Sequence, residues 1–349
     1  MELFALDLGN KQTKLKSNKA EYVLPSQILN ENDLPQQLGN LGNLGIKRDI
    51  TMYKTPFDEQ KWAWGTDLVN LKLDDYLQDT LMYRDRYSNH TFKLLANFAL
   101  GLLATDFEKA KNEIMSVTVV AGVPTEDYNS KEQLRVLAEV LKGQHQVEID
   151  GTTVNVKVET VLIIPQPIGT FYNVLLDDEE KLEREELLDE RVGIVDIGGG
   201  TILIDTLLNF EFDKKARKQY STGANDLYEA IASRIEDNVS LYQIEKLVRA
   251  GIAKKQFSYK FSKNNILDIT EIVEQEIRSF SRRLVSQLRS TFKDIKSIDT
   301  LIITGGTSNI IDQAMVKEVF ENVIFVDDAE MANVRGFYKY GVTEAGDQQ

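Results

Sequence analysis

One short pattern occurs twice in this chain, each time between two stretches that are typical of β-strands. The first copy is Leu6-Asp7-Leu8-Gly9-Asn10, and the second is Val195-Asp196-Ile197-Gly198-Gly199-Gly200-Thr201. In both copies an aspartate ends one strand and a glycine opens a tight turn into the next. Because the copies lie about one domain length apart, they predict two similar halves that each offer a hairpin to one shared site.

Both turns contain the residue types that bind the phosphates of a nucleoside triphosphate. Glycine lets the backbone approach phosphate oxygens closely, and successive N–H groups of a turn form an anion-binding nest. Threonine hydroxyls add donors, and Lys11 or Lys14 would neutralise phosphate charge. The candidate phosphate ligands at the first turn are Gly9, Asn10, Lys11 and Thr13, and those at the second are Gly198, Gly199, Gly200 and Thr201.

The two aspartates of the pattern are the candidate metal ligands. Mg²⁺ keeps several waters and takes few carboxylate contacts, so Asp7 and Asp196 on opposite hairpins suit one shared ion, bound through water. An ordinary turn is the simpler interpretation of the first copy taken alone. The glycine-rich second copy is more specific for a phosphate site, and the pair is more specific than either copy.

A glutamine lies between two prolines in Pro165-Gln166-Pro167, between the two copies of the pattern. Because proline disfavours a helical conformation in the residue before it, we expect Gln166 to be extended at the end of a strand. A glutamine held there can orient an attacking water without being a strong base, so Gln166 joins Asp7 and Asp196 as a candidate catalytic residue. A plain strand-to-helix turn is the alternative.

Another glycine pair, in Thr304-Gly305-Gly306-Thr307, follows a buried strand and precedes a helix. Two glycines leave room for a flat group, such as adenine or ribose, to lie against the backbone. The alternative interpretation is a turn with a purely structural role. Gly305, Gly306 and Thr307 are therefore candidate nucleoside ligands. The chain has neither a G-x4-G-K-[ST] loop nor a strand–G-x-G-x-x-G–helix unit, which disfavours P-loop and Rossmann sites.

Charge and composition exclude several classes of protein. The formal net charge of −14 is unsuited to direct binding of nucleic acid or anionic membranes, both of which need a basic surface. There is no cysteine, and His90 and His145 are the only histidines, so thiolate chemistry and histidine-rich metal sites are excluded. The longest apolar stretch, 94–104, is too short to span a bilayer. Met1 leads directly into a strand-like run, so we expect a cytoplasmic protein without a signal segment.

Strand-like and helix-like segments alternate along the chain, which predicts an α/β fold with mainly parallel or mixed sheets. The clearest amphipathic helix is expected at 270–295, where apolar residues recur every three or four positions. These residues are Val273, Ile277, Phe280, Leu284, Leu288 and Phe292. A charged stretch occupies 177–191, and we place the boundary between the two halves before it, near residue 165.

The order of these motifs resembles that of the actin/Hsp70/sugar-kinase ATPase superfamily. Its phosphate-1, connect-1, phosphate-2, adenosine and connect-2 motifs are similar to the Asp7 hairpin, Pro165-Gln166-Pro167, the Asp196 hairpin, Thr304-Gly305-Gly306-Thr307 and Ala332-Asn333-Val334-Arg335-Gly336. The resemblance implies two ribonuclease-H-like α/β domains that flank a nucleotide cleft and hold ATP or GTP with Mg²⁺.

The same resemblance implies the domain limits and two further residues. Domain I would comprise 1–165, with a smaller inserted subdomain near 30–90, and would be completed by about 325–349. Domain II would comprise 166–324. Glu245 resembles the ribose contact of actin, and Gly223 is expected to support the phosphate side from a nearby turn.

Within the superfamily, the chain is most similar to bacterial actin-like proteins of the plasmid-segregating ParM type. Val119-Val120-Ala121-Gly122-Val123-Pro124 resembles their strand-to-turn segment, and Gly336-Phe337-Tyr338-Lys339-Tyr340-Gly341 resembles their C-terminal helix. This implies an Mg-dependent nucleoside triphosphatase that assembles head to tail with itself. It would move plasmid DNA through a DNA-binding adaptor protein at a centromere-like site, without direct contact to nucleic acid or membrane.

Other interpretations stay open from the sequence alone. A non-polymerising phosphotransferase, like the sugar kinases, would need a catalytic carboxylate for its acceptor hydroxyl, and no clear candidate is present. A nucleotide-binding regulator without turnover is a third function.

The Leu-Gly-Asn repeat at 38–45 falls where actin-like proteins carry a subunit-contact loop, and a plain surface loop is the alternative. Some ParM relatives have a glutamate in the connect-1 motif. The glutamine at this position of the chain, Gln166, is more similar to the residue in actin.

Overall fold

The structure, a computed structural model, describes residues 1–34, 49–71, 73, 76–80, 85–235 and 239–346. The Leu-Gly-Asn repeat at 38–45 and parts of the subdomain expected near 30–90 lie outside the described residues. Across the part of the chain that is described, no helix combines the length and the apolar character needed to cross a membrane.

The described residues alternate between strands and helices. The strands are β1 (Glu2–Leu8), β2 (Gln12–Lys16), β3 (Glu21–Pro25), β4 (Leu29–Asn30), β5 (Thr51–Thr55), β6 (Asp58–Trp64), β7 (Met115–Val123), β8 (Gly143–Ile149), β9 (Thr152–Pro165), β10 (Arg191–Ile197), β11 (Ile202–Leu208), β12 (Glu211–Phe212), β13 (Lys218–Tyr220), β14 (Ser258–Ser262), β15 (Asn265–Asp268), β16 (Thr300–Thr304) and β17 (Val323–Phe325). The α-helices are α1 (His90–Thr105), α2 (Glu108–Asn112), α3 (Thr125–Tyr128), α4 (Lys131–Leu141), α5 (Gln166–Leu175), α6 (Ala224–Ala232), α7 (Leu241–Gly251), α8 (Thr270–Phe292), α9 (Gln313–Lys317) and α10 (Ala332–Gly346).

The chain divides into two compact units. The first contains Met1–Asn173, Asp178–Glu180 and Asn333–Gln349, and the second contains Val174–Asp177 and Lys181–Ala332. The main division therefore lies inside α5, whereas the sequence analysis placed a boundary near residue 165. The first two turns of α5 belong to the first unit, where Gly169 contacts the ring of Phe337 on α10.

The first unit is built on a nine-stranded mixed sheet in the order β3-β2-β1-β7-β9-β8-β5-β6-β4. β1 forms an antiparallel hairpin with β2 and is parallel to β7, which is parallel to β9. Residues 4–8 of β1 are all buried, because a central strand is covered on both faces. Helix α1 packs on β1, β8 and β9, which explains its largely apolar sequence.

The second unit is built on a six-stranded sheet in the order β12-β11-β10-β16-β17, with β13 paired to β11. β10 forms an antiparallel hairpin with β11 and is parallel to β16, which is parallel to β17. The helix predicted at 270–295 is α8, and each of the apolar residues that predicted it is buried. Those side chains form the core of this unit together with α6, α7 and the sheet.

The two units repeat one local arrangement. A central strand, β1 or β10, is parallel to one neighbour and continues through a tight turn into an antiparallel neighbour. Asp7 and Asp196 are the penultimate residues of these two central strands. The predicted α/β fold with two similar halves is confirmed, and the two aspartates occupy equivalent places in their sheets.

Candidate functional site

Asp7 is the buried acid of the first hairpin, with only 2% of its surface exposed. Its Oδ2 lies 3.4 Å from Nζ of Lys14, its cross-strand partner on β2. Its Oδ1 accepts a hydrogen bond of 3.2 Å from Nε2 of Gln166. A carboxylate, an ammonium group and a side-chain amide therefore meet at the end of β1, although Gln166 is far from Asp7 in sequence.

The turn after Asp7 is held in place by hydrogen bonds of Ser26, the residue that follows β3. Gly9 is required there, because a Cβ would stand 2.6 Å from the carbonyl oxygen of Gln12. Ser26 Oγ donates to the Gly9 carbonyl (2.6 Å) and is bonded to Thr13 Oγ1 (3.0 Å). The Thr13 hydroxyl, predicted as a phosphate ligand, is thus buried and braces the turn. Asn10 and Lys11 lie exposed at its tip.

Arg86, which belongs to none of the sequence motifs, supports the same hairpin. Its guanidinium donates through Nη2 to the carbonyl oxygen of Leu8 and through Nε to Thr80 Oγ1 (3.2 Å). It also lies over the Phe92 ring, 5.2 Å from the ring centre. No described carboxylate forms an ion pair with it, and desolvation lowers the pKa of Arg86. Arg86 therefore places a positive charge next to the first turn. Its hydrogen-bond partners are neutral, and the charges of Asp7 and Asp127 also act on it.

Gln166 is the first residue of α5, directly after β9 ends at Pro165. The expectation that Pro167 keeps Gln166 out of a helix is wrong. Pro167 is the second residue of α5, and proline is tolerated in the first turn, where its missing N–H would have no helical partner. The strand end was placed correctly, and the start of α5 directs the Gln166 amide to Asp7.

The second hairpin joins β10 to β11 through Gly198, Gly199 and Gly200. The Gly198 N–H donates to the carbonyl of Thr201 (2.9 Å), which closes the turn. Gly223 lies against it, since a Cβ there would stand 2.6 Å from Gly198 O and 2.7 Å from Gly199 O. The first two N–H groups of α6 donate to these carbonyls at 3.1 and 2.8 Å. The turn is therefore anchored on the start of a helix, with Gly200 open on its outer side.

The segment after β16 packs on the second hairpin. Gly305 has a φ of +89°, and a Cβ there would collide with the Asp196 carboxylate and come within 2.6 Å of Ile197 N. The Thr307 N–H donates to Ile197 O (3.1 Å), and its hydroxyl donates to Gly198 O (3.3 Å). Gly305 and Thr307, predicted as nucleoside ligands, thus pack directly against the second hairpin.

Gly306 faces a cluster of charged side chains. A Cβ at Gly306 would stand 3.4 Å from Arg249 Nη2 and 3.6 Å from Glu330 Oε1. Arg249 Nε donates to Glu245 Oε1 (3.0 Å), one turn earlier on α7, and Arg249 Nη1 lies 3.7 Å from Glu330 Oε1. Glu245 was predicted to contact ribose, whereas Arg249 and Glu330 were missed because neither belongs to a motif.

The structure thus groups the candidates within each unit. Asp7, Lys14, Gln166 and the first turn meet in the first unit, and Asp196, Gly223 and the second turn meet in the second. No described cluster of three or more His, Asp or Glu residues could hold a metal ion. A single buried carboxylate, such as Asp7 in the first unit, fits an ion that keeps most of its waters, as Mg²⁺ does, and does not fit an ion enclosed by protein ligands.

Two family models match the chain and account for most of it. Residues 5–169 match the N-terminal domain of actin-like proteins. Residues 191–337 match the Alp7A C-terminal domain. No curated protein sequence matches the chain.

Solved structures of actin-like proteins share the fold over their full length. The ParM protein of pSK41, without nucleotide, is 25% identical, with a TM-score of 0.79 over 100% of this chain and 99% of that one. An archaeal actin homologue, Ta0583, in complex with ADP, is 14% identical, with a TM-score of 0.73 over 100% of both chains. A filament structure of Alp12 is 18% identical, with a TM-score of 0.69 over 99% of both. The predicted actin-like fold is confirmed.

Proposed function

This chain belongs to the actin-like proteins of the ParM type, and we propose on this basis that it is a cytoplasmic nucleoside triphosphatase whose bound nucleotide controls its assembly into filaments that segregate plasmid DNA. One observation carries the proposal: the Gln166 amide reaches the buried Asp7 carboxylate at the end of β1, 3.2 Å away. A water-orienting amide beside a metal-binding acid suits hydrolysis of a phosphate anhydride.

Each candidate residue would have a separate role in binding or hydrolysing the nucleotide. The turns at Gly9 and at 198–200 donate backbone N–H groups to the phosphates, and Lys14 balances their charge. Asp7 and Asp196 would hold Mg²⁺ through water, and the ion would supply positive charge to balance that of the phosphates. Gln166 orients the attacking water toward the γ-phosphate. The nucleotide is ATP or GTP.

Binding and hydrolysis of the nucleotide would also control filament assembly and DNA movement. Head-to-tail contacts that do not close into a ring generate helical filaments. The triphosphate form favours these contacts, and hydrolysis weakens them because the two nucleotide states differ in their affinity for a neighbouring subunit. With a net charge of −14, the chain suits contact to DNA through a DNA-binding adaptor protein at a centromere-like site better than direct binding.

Sedimentation of the purified chain with Mg-ATP or Mg-GTP tests the proposal. We expect the chain to pellet with the triphosphate, to stay in the supernatant with EDTA, and to show filaments by electron microscopy. A chain that hydrolyses the nucleotide but stays monomeric at high concentration would refute filament assembly. Release of diphosphate only in the presence of a sugar or acid acceptor would instead indicate a phosphotransferase.

A further inference from the structure

Residues 254–268 form a basic hairpin on the second unit. It contains β14, β15 and the turn before them, with four lysines and one aspartate in a chain whose net charge is −14. All four lysines are exposed, and none belongs to an ion pair between described residues: Lys254, Lys255, Lys260 and Lys263. Phe261, Ile266 and Leu267 are exposed beside them, by 40%, 54% and 39%. Exposed apolar surface rimmed by charge marks an interaction site.

An acidic groove of about 590 Å³ lies on the same unit. Three acidic side chains line it: Glu186, Glu190 and Glu321. Apolar side chains also line it: Leu187, Val323 and Ile324. Arg184 and Lys317 reach the groove too, but residues 183–190 contain five acidic residues and a single basic one. Neither Glu186 nor Glu321 belongs to an ion pair between described residues, and both are exposed. The groove therefore offers unpaired negative charge around an apolar lining.

The basic hairpin and the acidic groove lie at opposite ends of α8. The hairpin leads directly into the helix, and the N–H of Ile269 donates to the carbonyl of Phe257 (2.9 Å). Phe292 ends the helix beside β10, since a Cβ at Gly193 would stand 3.0 Å from its ring, and Glu190 of the groove immediately precedes β10. The 23 residues of α8 span about 35 Å. One copy therefore cannot bring the two surfaces together, whereas two copies can.

We infer that the basic hairpin of one copy docks in the acidic groove of the next copy and so forms the head-to-tail contact. The lysine ammonium groups meet the carboxylates, and the exposed apolar side chains of the hairpin cover the apolar lining of the groove. Because the two surfaces differ, the contact is heterologous and leaves one hairpin and one groove free at the ends of every assembly. Their opposite charges steer the copies together and select which ends meet. This inference rests on the proposed function, because it names the surfaces of the contact proposed there.

Charge reversal followed by a charge swap tests the contact in the full chain. The reversed hairpin carries Lys260→Glu with Lys263→Glu, and the reversed groove carries Glu186→Lys with Glu321→Lys. Each reversal should raise the critical concentration for assembly with Mg-triphosphate at least about tenfold, because like charges then face each other. A chain with both reversals should return to within about threefold of wild type, since the attraction is restored with its sign inverted. A damaged protein could not show this recovery.

The matched control is Lys214→Glu with Lys215→Glu, which reverses two exposed lysines elsewhere on the same unit and should leave the critical concentration nearly unchanged. Wild type that assembles together with a reversed hairpin that assembles equally well would overturn the docking and leave the proposed function standing. Folded single reversals whose combination recovers nothing would also contradict it. A reversed hairpin that keeps assembly but loses affinity for a DNA duplex would assign the hairpin to nucleic acid instead. Wild type that stays monomeric with both Mg-ATP and Mg-GTP would refute the docking and the filament function together.

Discussion

Arg86 shows how a single side chain can support the tight turn between two strands. Its guanidinium is bonded to the Leu8 carbonyl at the point where β1 turns, and Arg86→Met leaves that carbonyl without its donor. An unpaired buried acceptor costs about 1–3 kcal/mol, partly offset because a desolvated charge is also removed. We therefore expect urea unfolding to show a loss of about 1–2 kcal/mol.

The matched control for this change is Arg282→Met, on the exposed side of α8. It should leave the free energy of unfolding nearly unchanged, because surface substitutions stay within about 0.5 kcal/mol. Equal stability of the two variants would show that the contact to Leu8 does not support the hairpin.

Gln166 is proposed to act in hydrolysis rather than in nucleotide binding. Gln166→Ala removes the amide that would orient water, so we expect the hydrolysis rate to fall at least about tenfold. The affinity for the triphosphate should change by less than about threefold, because the proposed phosphate ligands are the two turns and not Gln166. Phosphate release and nucleotide titration measure the two effects separately. Gln144→Ala, an exposed glutamine on β8, is the control, and a Gln166→Ala rate equal to its rate would remove Gln166 from the mechanism.

Packing between helices sets where Gln166 lies. Helix α5, which begins with Gln166, meets α10 backbone to backbone, and a Cβ at Gly336 would collide with the Gly169 carbonyl. Thr170 and Asn333 lock the contact with a hydrogen bond of 2.6 Å between Oγ1 and Oδ1. The two glycines therefore determine the distance between the helices, and with it the reach of the Gln166 amide to Asp7.

Gly336→Ala tests this packing. Separating α5 from α10 should lower the free energy of unfolding by about 2–3 kcal/mol and should also slow hydrolysis, since Gln166 moves with α5. Gly200→Ala is the stability control, because nothing lies within 4 Å of a Cβ placed there. A stable Gly336→Ala variant with unchanged hydrolysis would mean that the helix contact does not position Gln166.

For the complete chain, the features that the sequence could predict are those encoded locally. The two Asp-x-Gly turns lie between β-branched or apolar runs, and α8 carries an unbroken helical period, so both hairpins and the long helix are observed where expected. The α/β class follows from the same alternation of elements. The first unit also takes in α10 from the end of the chain. No local pattern shows this, and the expectation that 325–349 completes the first domain came from the family resemblance.

The features that could not be predicted depend on contacts between distant segments. Arg86 donates a hydrogen bond to the Leu8 carbonyl, and Arg249 forms an ion pair with Glu330. No sequence motif indicates either contact. The Thr13 hydroxyl was predicted to bind phosphate, and Thr307 was predicted to contact the nucleoside. In the structure the Thr13 hydroxyl is bonded to Ser26 and the Thr307 hydroxyl donates to the Gly198 carbonyl, so both support the turns. Gln166 was expected to be extended because the rule for residues before proline ignores the first turn of a helix.

A double-mutant cycle on Asp7 and Asp196 tests most directly whether both hairpins bind one Mg-triphosphate. Fluorescence titrations would measure the Kd of the nucleotide with Mg²⁺ for wild type, Asp7→Asn, Asp196→Asn and the double variant. If the aspartates share one ion, each single change should weaken binding about tenfold, and the double change should weaken it little further, because coupled residues are not additive. Losses that multiply, or an aspartate whose removal has no effect, would contradict a shared site.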